Sequence, residues 1–314
     1  MAEVTGLGST WNLPNYAGEL FTADATQTPF LSMIGGLTGG MQTKNNEFPT
    51  AVLFDYPEAK QPDISEKASA TAPEASHTTR SQESNVVQIF QETIDISYSK
   101  MSNMGKMSGI NTAGQMPNPT NERDVQVQHK LIKIARDVEY SFLNGKYQKS
   151  TGVDVANKTR GMFELCSTGN TIDAGDVTLT KDLLDALMLE MANNGAYFNN
   201  MVLFASAKNK QILTKLFADK YYTDSKNVAG MNIQQIETDF CKLGIVWNRF
   251  VADDSILIAD IAHIAPVFQE VPGKGVLFEE SLSKVGASER SQIYGQIGLA
   301  HGAAFLHGSI TGLK

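Results

Sequence analysis

Residues Pro117–Gly145 read PNPTNERDVQVQHKLIKIARDVEYSFLNG, and this stretch sets the frame for the rest of the chain. Asn118 or Thr120 can cap a helix, and Pro119 suits its first position, where no intrahelical N–H is required. Val127, Leu131, Ile134, Val138 and Phe142 recur at spacings of three and four, a single apolar stripe. Lys130, Lys133, Asp137 and Glu139 are expected to cover the other faces, with Lys133 and Asp137 one helical turn apart. Asn144-Gly145 ends the helix. At 1.5 Å per residue the helix inside these caps is about 37 Å long, a natural strut.

Upstream, Glu47 to Tyr56 reads as a strand through Phe48, Val52, Leu53, Phe54 and Tyr56. Val86 to Ser99 reads as another, because Ile94, Ile96 and Tyr98 alternate with polar residues. Val87 and Ile89 have the opposite parity, which predicts a bulge or a strand contacted on both faces. Between these strands lies a polar loop, Glu58 to Glu83, whose one large aliphatic residue is Ile64. A structureless loop of that length does not suit a compact domain, so it is either disordered or ordered from outside the subunit. Residues 1–28 read as an arm, and Thr28 to Ile34 as a short apolar anchor that runs into the bends of Gly35-Gly36 and Gly39-Gly40.

Downstream, Lys146 to Thr178 is polar and reads as loop. Helices are predicted over Lys181 to Asn193 and Lys208 to Phe217. Met201 to Ala205 and Ile256 to Ala259 are continuous apolar runs, which suit strands covered on both faces. A hairpin is predicted from Ile236 to Phe250, turning near Lys242-Leu243-Gly244. These elements make an α/β unit over roughly 180–265. Strands are expected within 276–278, 292–299 and 303–310, weakened by glycines.

The chain has 314 residues, enough for two or three core-bearing units. It is 42% apolar and 19% charged, the composition of a folded protein. Its net charge of −8 argues against a general phosphate-binding surface, although a wall around nucleic acid need not bind it. No apolar run approaches the ~20 residues of a membrane span, and Met1 to Leu20 does not read as a signal peptide. Cys166 and Cys241 form no disulfide framework.

No catalytic or cofactor-binding signature is present. Gly145-Lys146 lacks the rest of a phosphate loop, and Gly6-Leu7-Gly8 lacks the third glycine of a dinucleotide fingerprint. His129 has no second ligand one turn away, and on a strand His301 and His307 would lie ~20 Å apart, so no metal site is expected. Asp253-Asp254 and Glu279-Glu280 are sequence neighbours, which point apart in extended chain. Lys146, Lys149, Lys158 and Arg160 read as a solvated loop rather than a phosphate site.

The order of elements is arm, hairpin with long loop, strut helix, α/β unit and closing strands. It resembles the Hong Kong 97-type major capsid fold of tailed bacteriophages. Thr28-Pro29-Phe30-Leu31-Ser32-Met33-Ile34-Gly35, Arg136-Asp137-Val138-Glu139, Asn157-Lys158-Thr159-Arg160-Gly161-Met162, Ile236-Glu237-Thr238-Asp239-Phe240 and Asn248-Arg249 are similar to the SU-ten-type major head protein family. The likeness runs from about residue 25 to the end.

The resemblance implies an α+β chain with an N-terminal arm (1–45), an extended β-hairpin loop (46–99), a peripheral domain (100–179) with spine helix 119–145, an axial domain (180–265) and C-terminal strands returning to the peripheral domain (266–314). It implies a structural, non-enzymatic shell protein of the virion that assembles in the bacterial host cytoplasm. Its expected partners are other copies of itself in hexamers and pentamers, a separate scaffolding protein, a portal and decoration proteins. It would enclose double-stranded DNA without sequence-specific binding and without a membrane. Asp63, Glu66, Lys67, Glu74 and Arg80 in the extended loop are the inter-subunit contact candidates. An encapsulin-like compartment is the alternative with the same fold, and a free-standing enzyme or a tail protein is the third reading.

Overall fold

The computed structural model describes residues 27–55, 57–71, 77–102, 122–217, 225–228 and 231–314. The arm before residue 27 and the helix caps proposed at Asn118 to Thr120 lie outside the described residues. The apolar anchor forms a short helix, α1 (Pro29–Met33), with Phe30 and Leu31 buried. Two glycines with positive φ, Gly35 and Gly36, turn the chain into β1 (Met41–Thr43).

β2 (Glu47–Asp55) pairs antiparallel with β3 (Thr79–Val86), and a helix of six residues, α2 (Glu66–Thr71), lies between them. The strand expected over 86–99 is therefore two strands in two sheets. β3 belongs to the hairpin, Val87 interrupts, and β4 (Gln88–Ser97) joins a different sheet. Val87 donates its N–H to Asn46 O at 2.9 Å, which explains the parity switch. A register shift between Pro49 and Ala51 adds a bulge on the opposite strand. Thr79 to Glu83, expected as loop, is strand, because ladder hydrogen bonds do not require apolar side chains.

After α3 (Tyr98–Ser102), the strut helix α4 spans Glu122–Asn144. Its stripe is buried at Ile134, Val138 and Phe142 and half-buried at Val127 and Leu131. Lys133 pairs with Asp137 at 2.8 Å as the spacing predicts, and Lys130 reaches Glu92 of β4 at 2.8 Å. Glu139, expected on a solvent face, is fully buried. The stretch expected to be loop-rich holds α5 (Met162–Cys166) and β5 (Asn170–Val177).

α6 (Lys181–Asn193) is capped by Thr180, whose hydroxyl accepts from Leu183 N–H at 3.3 Å. β6 (Met201–Ala205), α7 (Ala207–Leu216), β7 (Ser225–Val228), β8 (Met231–Glu237), β9 (Lys242–Trp247) and β10 (Ile256–Asp260) follow. The β8–β9 turn is earlier than expected: Thr238 and Cys241 close it, and Leu243-Gly244 lie in β9. The remaining strands are β11 (Ala265–Gln269), β12 (Leu277–Ser281), β13 (Ser288–Ala300) and β14 (Gly308–Leu313).

β13 organises a five-stranded sheet, with β11 and β12 along one edge, β4 along the other, and β1 parallel to β11. The second sheet runs β5-β14-β10-β6-β9-β8-β7. β14 thus differs from the other closing strands: it sits between β5 and β10 in the seven-stranded sheet. Residues 301–307, expected to be strand at their end, instead turn the chain through a short 3-10 helix, Ala304–Leu306.

β6 is buried at every position because both faces are covered. Val202 and Phe204 pack into the core under α1 and α4, while Met201, Leu203 and Ala205 pack toward α6 and α7. The first of these cores also holds residues of β4 and β13, so it joins both sheets. Among the described residues no helix is long and apolar enough to cross a membrane.

Candidate functional site

Extended strands carry their own donors and acceptors, so an isolated two-stranded ladder exposes two edges for pairing. β2 and β3 form such a ladder, a two-stranded sheet that pairs with no other strand among the described residues. Val52 and Phe54 are each 53% exposed on one face of it, and Ile64 in the tip is 56% exposed. Ser65 accepts from Ala68 N–H at 3.2 Å and so caps α2, which gives the tip a fixed turn. Asp63, Glu66 and Lys67 are exposed on that tip. Arg80 is not in the tip: it lies on β3, opposite Phe54. Glu74 lies outside the described residues. The contact candidates are charged residues, and the exposed apolar residues Val52, Phe54 and Ile64 stand beside them.

The root of the hairpin is locked. Asn85 is fully buried, and its amide donates to Leu299 O at 2.8 Å and to Arg160 O at 3.3 Å. Its carbonyl accepts from Arg160 N–H at 2.9 Å and Val86 N–H at 2.8 Å. Every hydrogen-bonding direction of this amide is used. Nearby, Ser84 and Lys149 both donate to Glu47, and Lys149, followed by Ser84, holds its carboxyl below the usual range. Arg160 lies over the Tyr147 ring at 4.7 Å. Lys149 and Arg160, expected in a solvated loop, therefore clamp the hairpin to the body. Gly145 and Gly161 make this possible, since a Cβ on Gly161 would sit 2.5 Å from Gly145 N.

A second polar node lies under the strut. Glu139 accepts from Phe30 N–H at 2.9 Å, from Leu31 N–H at 2.6 Å and from the Asn248 amide at 2.6 Å. The Phe30 and Leu31 N–H groups are the first of α1, which Thr28 leaves without a side-chain cap. Burial pushes Glu139 up from 4.5 to about 7, against the pull of its three donors. The node brings together three of the stretches quoted above, from 28–35, 136–139 and 248–249.

His301 and His307 are adjacent rather than ~20 Å apart, because the intervening residues turn instead of extending. His307 accepts from Asp260 N–H at 3.1 Å and binds His301 O at 2.7 Å through Nε2, which fixes the Nε2–H tautomer. Burial lowers both histidines to about 4. Among the described residues no His, Cys, Asp and Glu group of three or more could hold a metal ion. Glu279 and Glu280 do point apart: Glu279 pairs with Arg123 at 2.7 Å, and Glu280 pairs with Lys274. Burial raises the thiols of Cys166, to about 12, and Cys241, which suits packing rather than reactivity.

The arrangement is thus a hairpin braced at its root, with exposed apolar and charged groups. The fold as a whole is similar to that of several solved structures. The chain is similar to the cyanophage A-1(L) capsid asymmetric unit, at TM-score 0.65 and 10% identity over 95% of this chain and 96% of that one. It is similar to a Mycobacterium phage Che8 structure, at TM-score 0.56 and 13% identity over 97% and 98%. It is also similar to the holo-SrpI encapsulin complex from Synechococcus elongatus PCC 7942, at TM-score 0.59 and 10% identity over 95% and 93%. The fold is the Hong Kong 97-type capsid fold. A search of curated protein sequences finds no match. The family model for the SU10 major capsid protein matches residues 3–314, and the chain belongs to that family.

Proposed function

We propose that this shell-forming major capsid protein assembles as hexamers and pentamers into an icosahedral virion shell around double-stranded DNA, held without sequence-specific contacts. The observation that carries the assembly mode is the two-stranded hairpin, braced at its root and exposed along its length. Large repeated contacts of this kind suit a shell better than one tight site. In this reading the hairpin over 46–99 lies across an adjacent copy, and Asp63, Glu66, Lys67, Glu74 and Arg80 set its register through charge. The arm spans 1–45, the strut helix belongs to a peripheral domain (100–179), and 180–265 forms an axial domain near the capsomer centre. Residues 266–314 return to the peripheral domain through β11 to β13, and we add β5 and β14 to the axial unit on the strength of their sheet membership.

Assembly takes place in the host cytoplasm with a separate scaffolding protein, a portal and decoration proteins, and the subunit carries no enzymatic activity. Electron microscopy of the full chain, expressed alone and with its phage neighbours, tests the proposal. Deleting residues 63–79 is expected to leave a soluble subunit that makes no closed shells, and normal shells from that deletion would sink the hairpin's role. The fold shared with the encapsulin supports a second reading, a compartment that packages protein. Nuclease-protected DNA inside purified particles excludes it, and protein cargo without DNA establishes it.

A further inference from the structure

The strut helix, the apolar anchor and the chain beyond β9 meet at one buried carboxyl. Glu139 accepts from Phe30 N–H and Leu31 N–H of α1 and from the Asn248 amide. The 248–250 stretch has further ties. Asn248 donates its N–H to Ala205 O at 2.9 Å, and its side-chain oxygen accepts from Phe250 N–H at 2.8 Å. Asn144 of the strut donates to Phe250 O at 2.9 Å. α1 has fewer. Phe30 packs edge-on against Phe204 with ring centroids 5.2 Å apart. Among the described residues, the polar ties of α1 to other elements are the two to Glu139.

The three donors are neutral. α1 and β6 carry no ionisable side chain. The 248–251 stretch carries Arg249, whose guanidinium lies over the Trp247 ring at 5.5 Å. The neighbouring turns of α4 carry Lys133, Arg136, Asp137 and Tyr140, and Asp137 pairs with Lys133 at 2.8 Å. Burial acts first on Glu139, and the Leu31, Phe30 and Asn248 donors follow. A carboxylate sealed without a cation is costly, whereas a protonated carboxyl is not. Opening α1 removes two donors and lets water reach the group, which then ionises near its ordinary 4.5. The closed arrangement thus binds the proton more tightly than the open one, and by linkage the proton favours closure.

We propose that Glu139 is a proton-operated latch: with its proton it keeps α1 closed on the strut helix, and losing that proton releases α1 while the 248–250 stretch stays tied to the body. The latch is a property of the subunit and does not rest on the shell reading. α1 is a helix of five residues, short enough to open without unfolding the rest. Between its two proton affinities, 4.5 open and about 7 closed, rising pH multiplies the open fraction.

Hydrogen exchange of the full-chain subunit, read by mass spectrometry and divided by the intrinsic rate of each amide at each pH, tests the latch. Residues 30–34 are expected to exchange ahead of the strut (131–143) and of β6 (201–205) at every pH. Their protection in the parent should fall by about 10- to 100-fold from roughly pH 5 to pH 8. In Glu139→Gln, which has no proton to lose, their protection no longer follows this slope. Asn248→Ala, made alongside, removes a donor that favours the charged carboxyl, so the midpoint of the α1 transition moves to higher pH. A flat parental profile, the parental slope in Glu139→Gln, an unmoved midpoint in Asn248→Ala, or exchange of 30–34 only at the rate of the strut overturns the proposal.

Discussion

Glu139 reaches 108 positions back along the chain, where its Oε2 accepts the Leu31 backbone N–H at 2.6 Å. A side chain of the strut helix thereby does the capping that Thr28 does not do for α1. Removing it strands three donors in a sealed site. Glu139→Ala is expected to destabilise the unassembled subunit by about 3–5 kcal/mol, from three buried donors left unpaired. Asp137→Ala, two positions away on the exposed pair with Lys133, should cost less than about 1 kcal/mol. Urea unfolding of both variants beside the parent measures the contrast, and equal costs would refute the node.

The same carboxyl shapes the pH profile. Between its ordinary 4.5 and about 7, the folded chain holds a proton that the unfolded chain releases. Stability from Glu139 therefore falls as pH rises through that window. His301 and His307 act in the opposite sense. Burial lowers them from 6.5 to about 4, so their contribution is complete above 6.5 and is lost as pH falls toward 4. The two effects oppose each other between about 4.5 and 6.5. Glu139→Gln removes one of them. Its unfolding stability should fall more steeply than the parent's on acidification from pH 6.5 to 4.5, with at most about 3 kcal/mol per histidine available. Urea midpoints at half-unit pH steps read the difference, and parallel profiles would count against it.

Gly161 tests the packing behind the hairpin root. Its Cβ position lies 2.5 Å from Gly145 N and 2.8 Å from Leu143 O, both backbone atoms that cannot rotate aside. Gly161→Ala is expected to cost about 1–3 kcal/mol by overpacking. Gly152, with nothing within 4 Å, accepts alanine without a measurable loss. Thermal unfolding of the two variants decides, and a silent Gly161→Ala would mean that the loop can move away from the strut.

Much of this architecture was legible because it depends on period. The α4 stripe, the α6 boundaries and the doubly covered β6 follow from spacing that burial alone explains. What escaped the sequence depends on contacts between distant segments. Thr79 to Glu83 has no apolar alternation, and its strand exists because β2 supplies the ladder. By its charge Glu139 reads as a wet-face residue, although Val138 beside it and Phe142 one turn on lie in the stripe. Its position at the stripe's edge was the available signal. A straight strand would hold His301 and His307 apart, and the turn at 304–306 breaks that strand. The contact candidates are charged residues, and composition does not distinguish the tip from the stem to which Arg80 belongs.

In the proposed assembly, Asn85 is where folding and assembly meet. Its amide ties β3 to Leu299 of β13 and to the Arg160 backbone, and the hairpin departs from this point. The ladder is a lever: a strand of nine residues reaches about 30 Å, so a tilt of roughly 10° at the root moves the far end by about 5 Å. A shift of that size is larger than a hydrogen bond and is enough to miss a neighbour's contact groups. Asn85→Ala should therefore cost about 1–3 kcal/mol in subunit stability, through the unpaired backbone groups it leaves. Its effect on assembly should be greater than that cost implies. The folded variant, checked by circular dichroism, is expected to give aberrant or open particles. Ser81→Ala, on the exposed stem of the same strand, should give shells like the parent's. Micrographs of the three proteins at equal concentration carry the comparison. Regular shells from Asn85→Ala at parental yield would mean that neighbouring subunits, and not the root, set the angle of the hairpin.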